Sequence, residues 1–237
     1  MPDSSHSQKP GGSRAGRSRF KHVRAYAESR GSTFIAAGII IVGQAWLSST
    51  LALNPVWLLP VLSAALLIGS VAVYRSDLEE PSRLMRWFAR GVVGMLALAN
   101  MAYLVMLGRT VFERSEFEPH VLFLAGVVLW VVNIAVFALA YWEIDGGGPE
   151  DRKGNSEKLS DLVFPQQQPD QAPLAKADWK PGFGDYLYVS LTASSAFSPT
   201  DVMPFTGIAK LLMGAESTIS VATLMMLVAR AIGIANG

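Results

Sequence analysis

Four stretches of this sequence carry no charged side chain over about twenty consecutive positions: Phe34–Leu53, Pro55–Tyr74, Gly91–Gly108 and Val121–Trp142. A fifth, Gly207–Ile234, is interrupted only by Lys210, Glu216 and Arg230. About 20 apolar residues in a helix are what it takes to cross the roughly 30 Å hydrocarbon core of a bilayer. In lipid a spanning backbone must satisfy its own hydrogen bonds, and a continuous apolar run does this as a helix. The expectation is an all-α, integral membrane helical bundle of about five transmembrane helices. Only 16% of the residues are charged and 51% are hydrophobic, against roughly 25% charged in soluble domains.

The rest of the chain divides around these runs. Residues 1–32 form a basic tail rich in Ser and Gly, expected to be largely disordered, with seven Lys and Arg. Its part from Arg17 to Arg30 suits either a solvated anchor or a short basic helix on a membrane surface. Residues 33–142 hold the first four runs, and Asn54–Pro55 marks a tight turn between the first two. Residues 143–185 form an acidic, Pro/Gly-rich loop with nine acidic and five basic side chains. It gives little reason to expect a core, although Phe164, Trp179 and Phe183 offer points that could dock on the bundle or the membrane. Tyr141 and Trp142 form an aromatic pair of the kind found at membrane interfaces.

Residues 186–237 hold the last run, preceded by "YLYVSLTASSAF" at Tyr186–Phe197. Twelve residues are too few to span, so this piece reads as one re-entrant half-helix. Placing the N-terminus in the cytoplasm puts seventeen of the twenty Lys and Arg on the inner side, the orientation the positive-inside rule favours. The expected location is the cell membrane, multi-pass, with the half-helix entering from the cytoplasmic side.

Polar side chains within the runs are the candidate site. Gln44, Asn100 and Asn133 are expected to bond between helices. Glu216 is more demanding, because a carboxylate in a hydrocarbon environment needs partners. Helical spacing puts it on one face with Ser220, Thr223, Leu227 and Arg230. That face suits a polar lining or an ion site; a packed seam, or a Glu216 that snorkels or pairs with Lys210, is the structural counterpart. The stretch "TASSAFSPTD" at Thr192–Asp201 adds Thr192, Ser195, Ser198 and Asp201 to the candidate lining. As local structure, Ser198, Pro199 and Asp201 suit a capped helical turn that Pro204 would stop, and Thr206 suits the cap of the last helix.

The order "YLYVSLTASSAFSPTDVMPFTGIAKLL" resembles, distantly, the potassium-channel pore-loop module, in which a short pore helix leads through a filter to an acidic residue, a proline and the inner helix. Asp201 and Pro204 match that step, and Phe197 stands near the filter aromatic. Both filter glycines are absent, and with them the ready means of aiming successive carbonyls at one axis. "YWEIDGGGP" at Tyr141–Pro149, "FPQ" at Phe164–Gln166 and "DYLYVSLTASSAFSPTDVMP" at Asp185–Pro204 are similar to a family of uncharacterised bacterial multi-pass integral membrane proteins. That resemblance implies a membrane location and no assigned activity.

Several functions are disfavoured. A net charge of +1 argues against nucleic acid, and the absence of cysteine removes disulfides and thiolate sites. His6, His22 and His120 are too scattered for a metal centre. Ser194 and Ser195 lack a nucleophile elbow and a histidine base, so no catalytic residue, cofactor or enzyme activity is expected. The remaining expectations are a channel- or transporter-like protein with a non-standard pore loop, or a non-conducting scaffold that recruits a protein partner through its acidic loop. The bilayer and further copies of the chain are the other expected partners.

Overall fold

The structure, a computed structural model, describes residues 14–51, 58, 60–65, 68, 83–113, 118–153, 159–168, 179–198 and 201–235. Its helices are α1 (Arg14–Thr50), α2 (Arg83–Glu113), α3 (Pro119–Ile144), the short α4 (Pro149–Lys153), α5 (Phe183–Ala196) and α6 (Gly207–Ala235). Two-residue strands β1 (Leu162–Val163) and β2 (Met203–Pro204) pair antiparallel. Segments of α1, α2, α3 and α6 are long and apolar enough to cross a membrane: Gly31–Thr50, Trp87–Val111, Pro119–Gly147 and Gly207–Ile232. The expected span Pro55–Tyr74 falls largely outside the described residues; within it Leu58, 60–65 and Ile68 are helical.

The central helix is α3, which packs against α1, α2, α5 and α6. A helix that is apolar all round is stable only when it is surrounded, and its buried residues, from Leu122 and Ala125 to Tyr141 and Trp142, occur on every side. The outer helices bury one face each. Their other faces expose Ile35 and Ile39 on α1, Leu98 and Val105 on α2, and Leu211 and Met225 on α6. Such apolar exposure suits lipid, where helices associate by close packing rather than by the hydrophobic effect.

Two glycines permit that packing. A Cβ on Gly43 would lie 2.7 Å from Val132 Cγ2, and one on Gly126 would lie 2.6 Å from Leu227 Cδ2. Gly126→Val is therefore expected to loosen α3 from α6 by about 1–3 kcal/mol. A thermal midpoint in detergent matching that of the unaltered chain would show that Leu227 swings aside instead.

The acidic loop behaves differently from the coreless linker expected of it. Gly146, Gly147 and Gly148 take φ of 56°, 87° and 105°, a run of left-handed backbone open to glycine alone at low cost. It reverses the chain at the end of α3 and returns the loop over the helix ends. There Leu162 and Phe164 are buried in the core. The expected interfacial pair is buried too: Tyr141 is 0% and Trp142 3% exposed. Trp142 lies edge-on to Phe183 and Tyr186, with the Arg152 guanidinium 4.6 Å from its ring centroid. Phe164 stacks edge-on against Trp179 and Tyr186. Aromatic contacts of this kind, rather than exposure to an interface, are where the rings find their partners.

At 14 residues α5 is shorter than a span. Asp185 receives the Gly182 N–H at its first turn, 2.7 Å, and its last turn ends on Phe197 in the left-handed region, φ 57°. Residues 201–202 form a bend and Met203–Pro204 a strand; the capped turn expected over Ser198–Asp201 falls partly outside the described residues. Thr206 does cap α6: its Oγ1 accepts the Ala209 N–H at 3.3 Å.

Candidate functional site: Glu216 within the bundle and Asp145 at the end of α3

Glu216 lies nine residues into α6, about 14 Å along the helix, and is fully buried. Tyr141 of α3 donates to its Oε2. Ser190 of α5 contacts its Oε1, and Ser194, one turn further along α5, donates to the same oxygen at 2.9 Å. Both oxygens therefore meet hydroxyls from two neighbouring helices, and the side chain does not snorkel. Lys210 is exposed, away from this pocket.

Ser190 carries a single hydrogen but has two oxygens within bonding distance: Glu216 Oε1 and the Ile134 carbonyl, 2.7 Å away. A carbonyl can only accept, so the hydroxyl that meets it must donate to it. The Ser190 hydroxyl is therefore shared between the Ile134 carbonyl and Glu216 Oε1 as acceptors, while Tyr141 and Ser194 donate to the same carboxyl group.

A second buried carboxylate, Asp145, sits one turn beyond Tyr141 at the end of α3 and is also fully buried. Its Oδ1 accepts the Asp161 and Leu162 N–H groups at 2.7 and 3.0 Å and the Ser160 hydroxyl at 3.0 Å. Its Oδ2 accepts from Tyr186 at 2.6 Å, and its backbone carbonyl accepts from Arg152. Burial pushes the Tyr186 phenol far above its ordinary pKa; Arg152 opposes the rise, while Asp145 adds to it. Asp161 extends the network, accepting from the Gly146 N–H at 3.0 Å and from Thr206 at 2.6 Å. The turn after α3, the loop and the start of α6 are thus tied to one another.

Beyond Glu216 the polar file continues. Ser220, one turn along α6, accepts from Asn133 at 3.2 Å, and Asn133 accepts from Asn100 at 2.8 Å. Asn100, Asn133 and Ser220 link α2, α3 and α6 in one chain of bonds. Thr223 is buried on the same face and donates to its own helix at Ile219. Gln44 donates to the Leu96 carbonyl at 3.1 Å and so joins α1 to α2. From Asp145 to Asn133 the file covers twelve residues of α3, about 18 Å. Asn133→Leu is expected to cost about 1 kcal/mol, since interhelical bonds in membranes average roughly 0.6 each. A chemical-denaturation midpoint in detergent measures it, and a loss above 3 kcal/mol would show that the file acts as one unit.

The structure brings together Glu216, Ser220, Thr223, Asn100 and Asn133, and it keeps the other candidates apart from them. Thr192 donates to Tyr188 and Val189 of its own helix, and Ser195 to Leu191. Ser198 and Asp201 are exposed. The α5 face that meets Glu216 runs through Tyr186, Ser190 and Ser194, at intervals of four. Ser195 is a further 100° around the helix, and Thr192 about 200° from Ser190. Sequence reasoning missed Tyr141, Ser190, Ser194, Asp145 and Tyr186. The four-residue spacings of Tyr186–Ser190–Ser194 and Tyr141–Asp145 are the signals that point to them.

Among the described residues four helices are long and apolar enough to cross a membrane and are joined by buried polar groups, which is consistent with the class of helical membrane proteins. No family model, no curated protein and no solved structure matches the chain.

Proposed function

We propose that this chain is a channel- or transporter-like membrane protein that moves protons, with Glu216 as the group that takes up and releases them. The observation that carries the reading is a fully buried carboxyl, in a helix long and apolar enough to cross a membrane, held by the hydroxyls of Tyr141, Ser190 and Ser194. A carboxyl so held can pass its proton through Ser190 or Tyr141 without a large rearrangement. The file of Asn133, Ser220 and Asn100 on one side and Tyr186 and Asp145 on the other supplies neighbouring polar groups in an apolar bundle. Broken elements beside such groups line cavities in membrane proteins, and α5 is an element of that kind. Because Glu216 is closed to solvent in this arrangement, the reading favours alternating access over an open pore.

The scaffold alternative has less to support it. Phe164 is buried and Trp179 packs on the core, so these aromatic points already serve the chain's own bundle. The test is reconstitution into liposomes holding a pH-sensitive dye, with a potassium diffusion potential imposed. Acidification is expected with the unaltered protein and is expected to vanish with Glu216→Gln. Equal rates for the two would overturn the reading.

A further inference from the structure

Thr192, Ser195, Ser198 and Asp201 stand apart from the Glu216 file, and the last three are exposed. Their depth makes that exposure unusual. Ser217 donates to the Ala193 carbonyl at 3.3 Å and lies ten residues past Gly207, about 15 Å along α6. Phe197, where α5 ends, borders a groove with Val221, Leu224 and Val228 of α6, and Val221 is about 21 Å from Gly207. The segment of α6 long and apolar enough to cross a membrane runs from Gly207 to Ile232, about 38 Å, so α5 stops near its middle. The chain then comes back. Met203–Pro204 pairs with Leu162–Val163, and Thr206 donates to Asp161 at 2.6 Å, level with the start of α6. Within this return Ser198, Asp201 and Val202 are bends rather than helix.

Irregular backbone and an acid do not face lipid tails; at membrane depth they are covered by protein or line water that protein encloses. We propose that a second copy of this chain covers this face, and that Ser195, Ser198 and Asp201 of the two copies line a hydrated seam between them. The face is suited to itself. It carries both signs, Asp201 on the return and Lys210 on α6, each exposed, so a two-fold arrangement sets each acid toward the other copy's base. Lys210, Gly214 and Val221 lie within about 60° of Ser217 around α6, and so flank α5. Gly214 is exposed, and a Cβ there would meet nothing within 4 Å, whereas Gly43 and Gly126 are each closed by a neighbouring helix. Gly214 is therefore a close-approach position, of the kind that joins helices in lipid, that one chain leaves unused. The hydroxyls and the carboxylate keep acceptor sites for water. The seam is separate from the Glu216 path, whose hydroxyl partners all come from one chain.

The chain has no cysteine, so single cysteines in the full chain, in its native membrane, report their surroundings without background. With a short bis-maleimide, Ser198→Cys is expected to give a product of doubled mass. Leu98→Cys, on the exposed outer face of α2, is expected to give none. Ser195→Cys and Ser198→Cys are also expected to react with a membrane-impermeant maleimide about tenfold or more faster than Leu98→Cys, because the thiolate reacts and an apolar environment raises the thiol pKa by a unit or more. Gly214→Leu, whose Cβ meets no neighbour in one chain, is expected to lower the doubled product of Ser198→Cys by about tenfold. Native mass spectrometry of the unaltered protein is expected to show two copies without any cross-linker. A doubled product as strong from Leu98→Cys as from Ser198→Cys would overturn the proposed face. A single-copy mass in both measurements would leave the face to lipid, and a cross-linked product of any mass that is not a multiple of the chain's would give it to a different protein; either result overturns the proposal. A Ser198→Cys thiol as slow as Leu98→Cys would overturn the hydrated seam, and a doubled product unchanged by Gly214→Leu would overturn the contact through α6.

Discussion

Asp145→Ala is expected to lower the stability of the protein more than any other single change at a polar residue. The substitution leaves the Asp161 and Leu162 N–H groups and the Tyr186 hydroxyl facing a methyl group. Each buried donor left unpaired costs about 1–3 kcal/mol, so the loss is about 3 kcal/mol or more. In a chain of this length that is a fall of about 10 °C in the thermal midpoint. Asp145→Asn is expected to fall between the two. Its side-chain carbonyl still accepts the two N–H groups, and the Tyr186 hydroxyl turns to accept from the amide. Tyr186→Phe is expected to cost about 1 kcal/mol, one hydrogen bond. The comparison is made by following unfolding in detergent by circular dichroism and by light scattering. A midpoint for Asp145→Ala within 2 °C of the unaltered chain would mean that water reaches the network, and that the loop is not held by Asp145.

Glu216→Gln is expected to have the opposite character: little change in stability and loss of proton flux. The amide keeps the shape of the carboxyl and can donate to Ser190 while accepting from Tyr141. The packing of α5 on α6 should therefore survive, with a change in midpoint within about 1 kcal/mol. What glutamine lacks is an exchangeable acidic proton. Proton-driven acidification should fall by at least about 100-fold, to the leak of empty liposomes, a barrier change of about 2.7 kcal/mol or more. Ser190→Ala and Tyr141→Phe remove one route each and are expected to slow flux by about tenfold while leaving the carboxyl in place. If Ser190→Ala and Tyr141→Phe leave flux untouched while Glu216→Gln abolishes it, the proton leaves by another path. If all three variants lose stability and flux together, the cluster is a structural seam.

The regions flanking the file were read unevenly from sequence. The apolar runs at Gly91–Gly108 and Val121–Trp142 and the run after Gly207 all lie within helices, because about twenty uncharged residues leave a backbone in lipid no other arrangement. Glu216, Ser220 and Thr223 share a buried face, since helical spacing alone puts them there. The hydroxyls that complete the site were not legible in the same way. Ser190 and Ser194 stand among Thr192, Ser195 and Ser198 in one polar stretch, and nothing in local spacing says which face of α5 turns inward. Tyr141 and Trp142 read as interfacial because their position at the end of a run is the same whether a loop covers them or not. The loop that covers them looked too acidic and too rich in Gly and Pro to hold a core.

The sequence by itself determined the helical class, the positions of its apolar runs and the need for Glu216 to find partners. All three follow from the energy of placing backbone and charge in hydrocarbon, and that energy depends on local composition. Only the tertiary structure decided which partners Glu216 has, that Asp145 joins the loop to α5, and that α3 is the central helix. Those outcomes depend on the rotation of each helix about its axis and on the reversal at Gly146–Gly148. Both are settled by contacts between residues 15 to 75 positions apart, such as Gly146 with Asp161 and Tyr141 with Glu216.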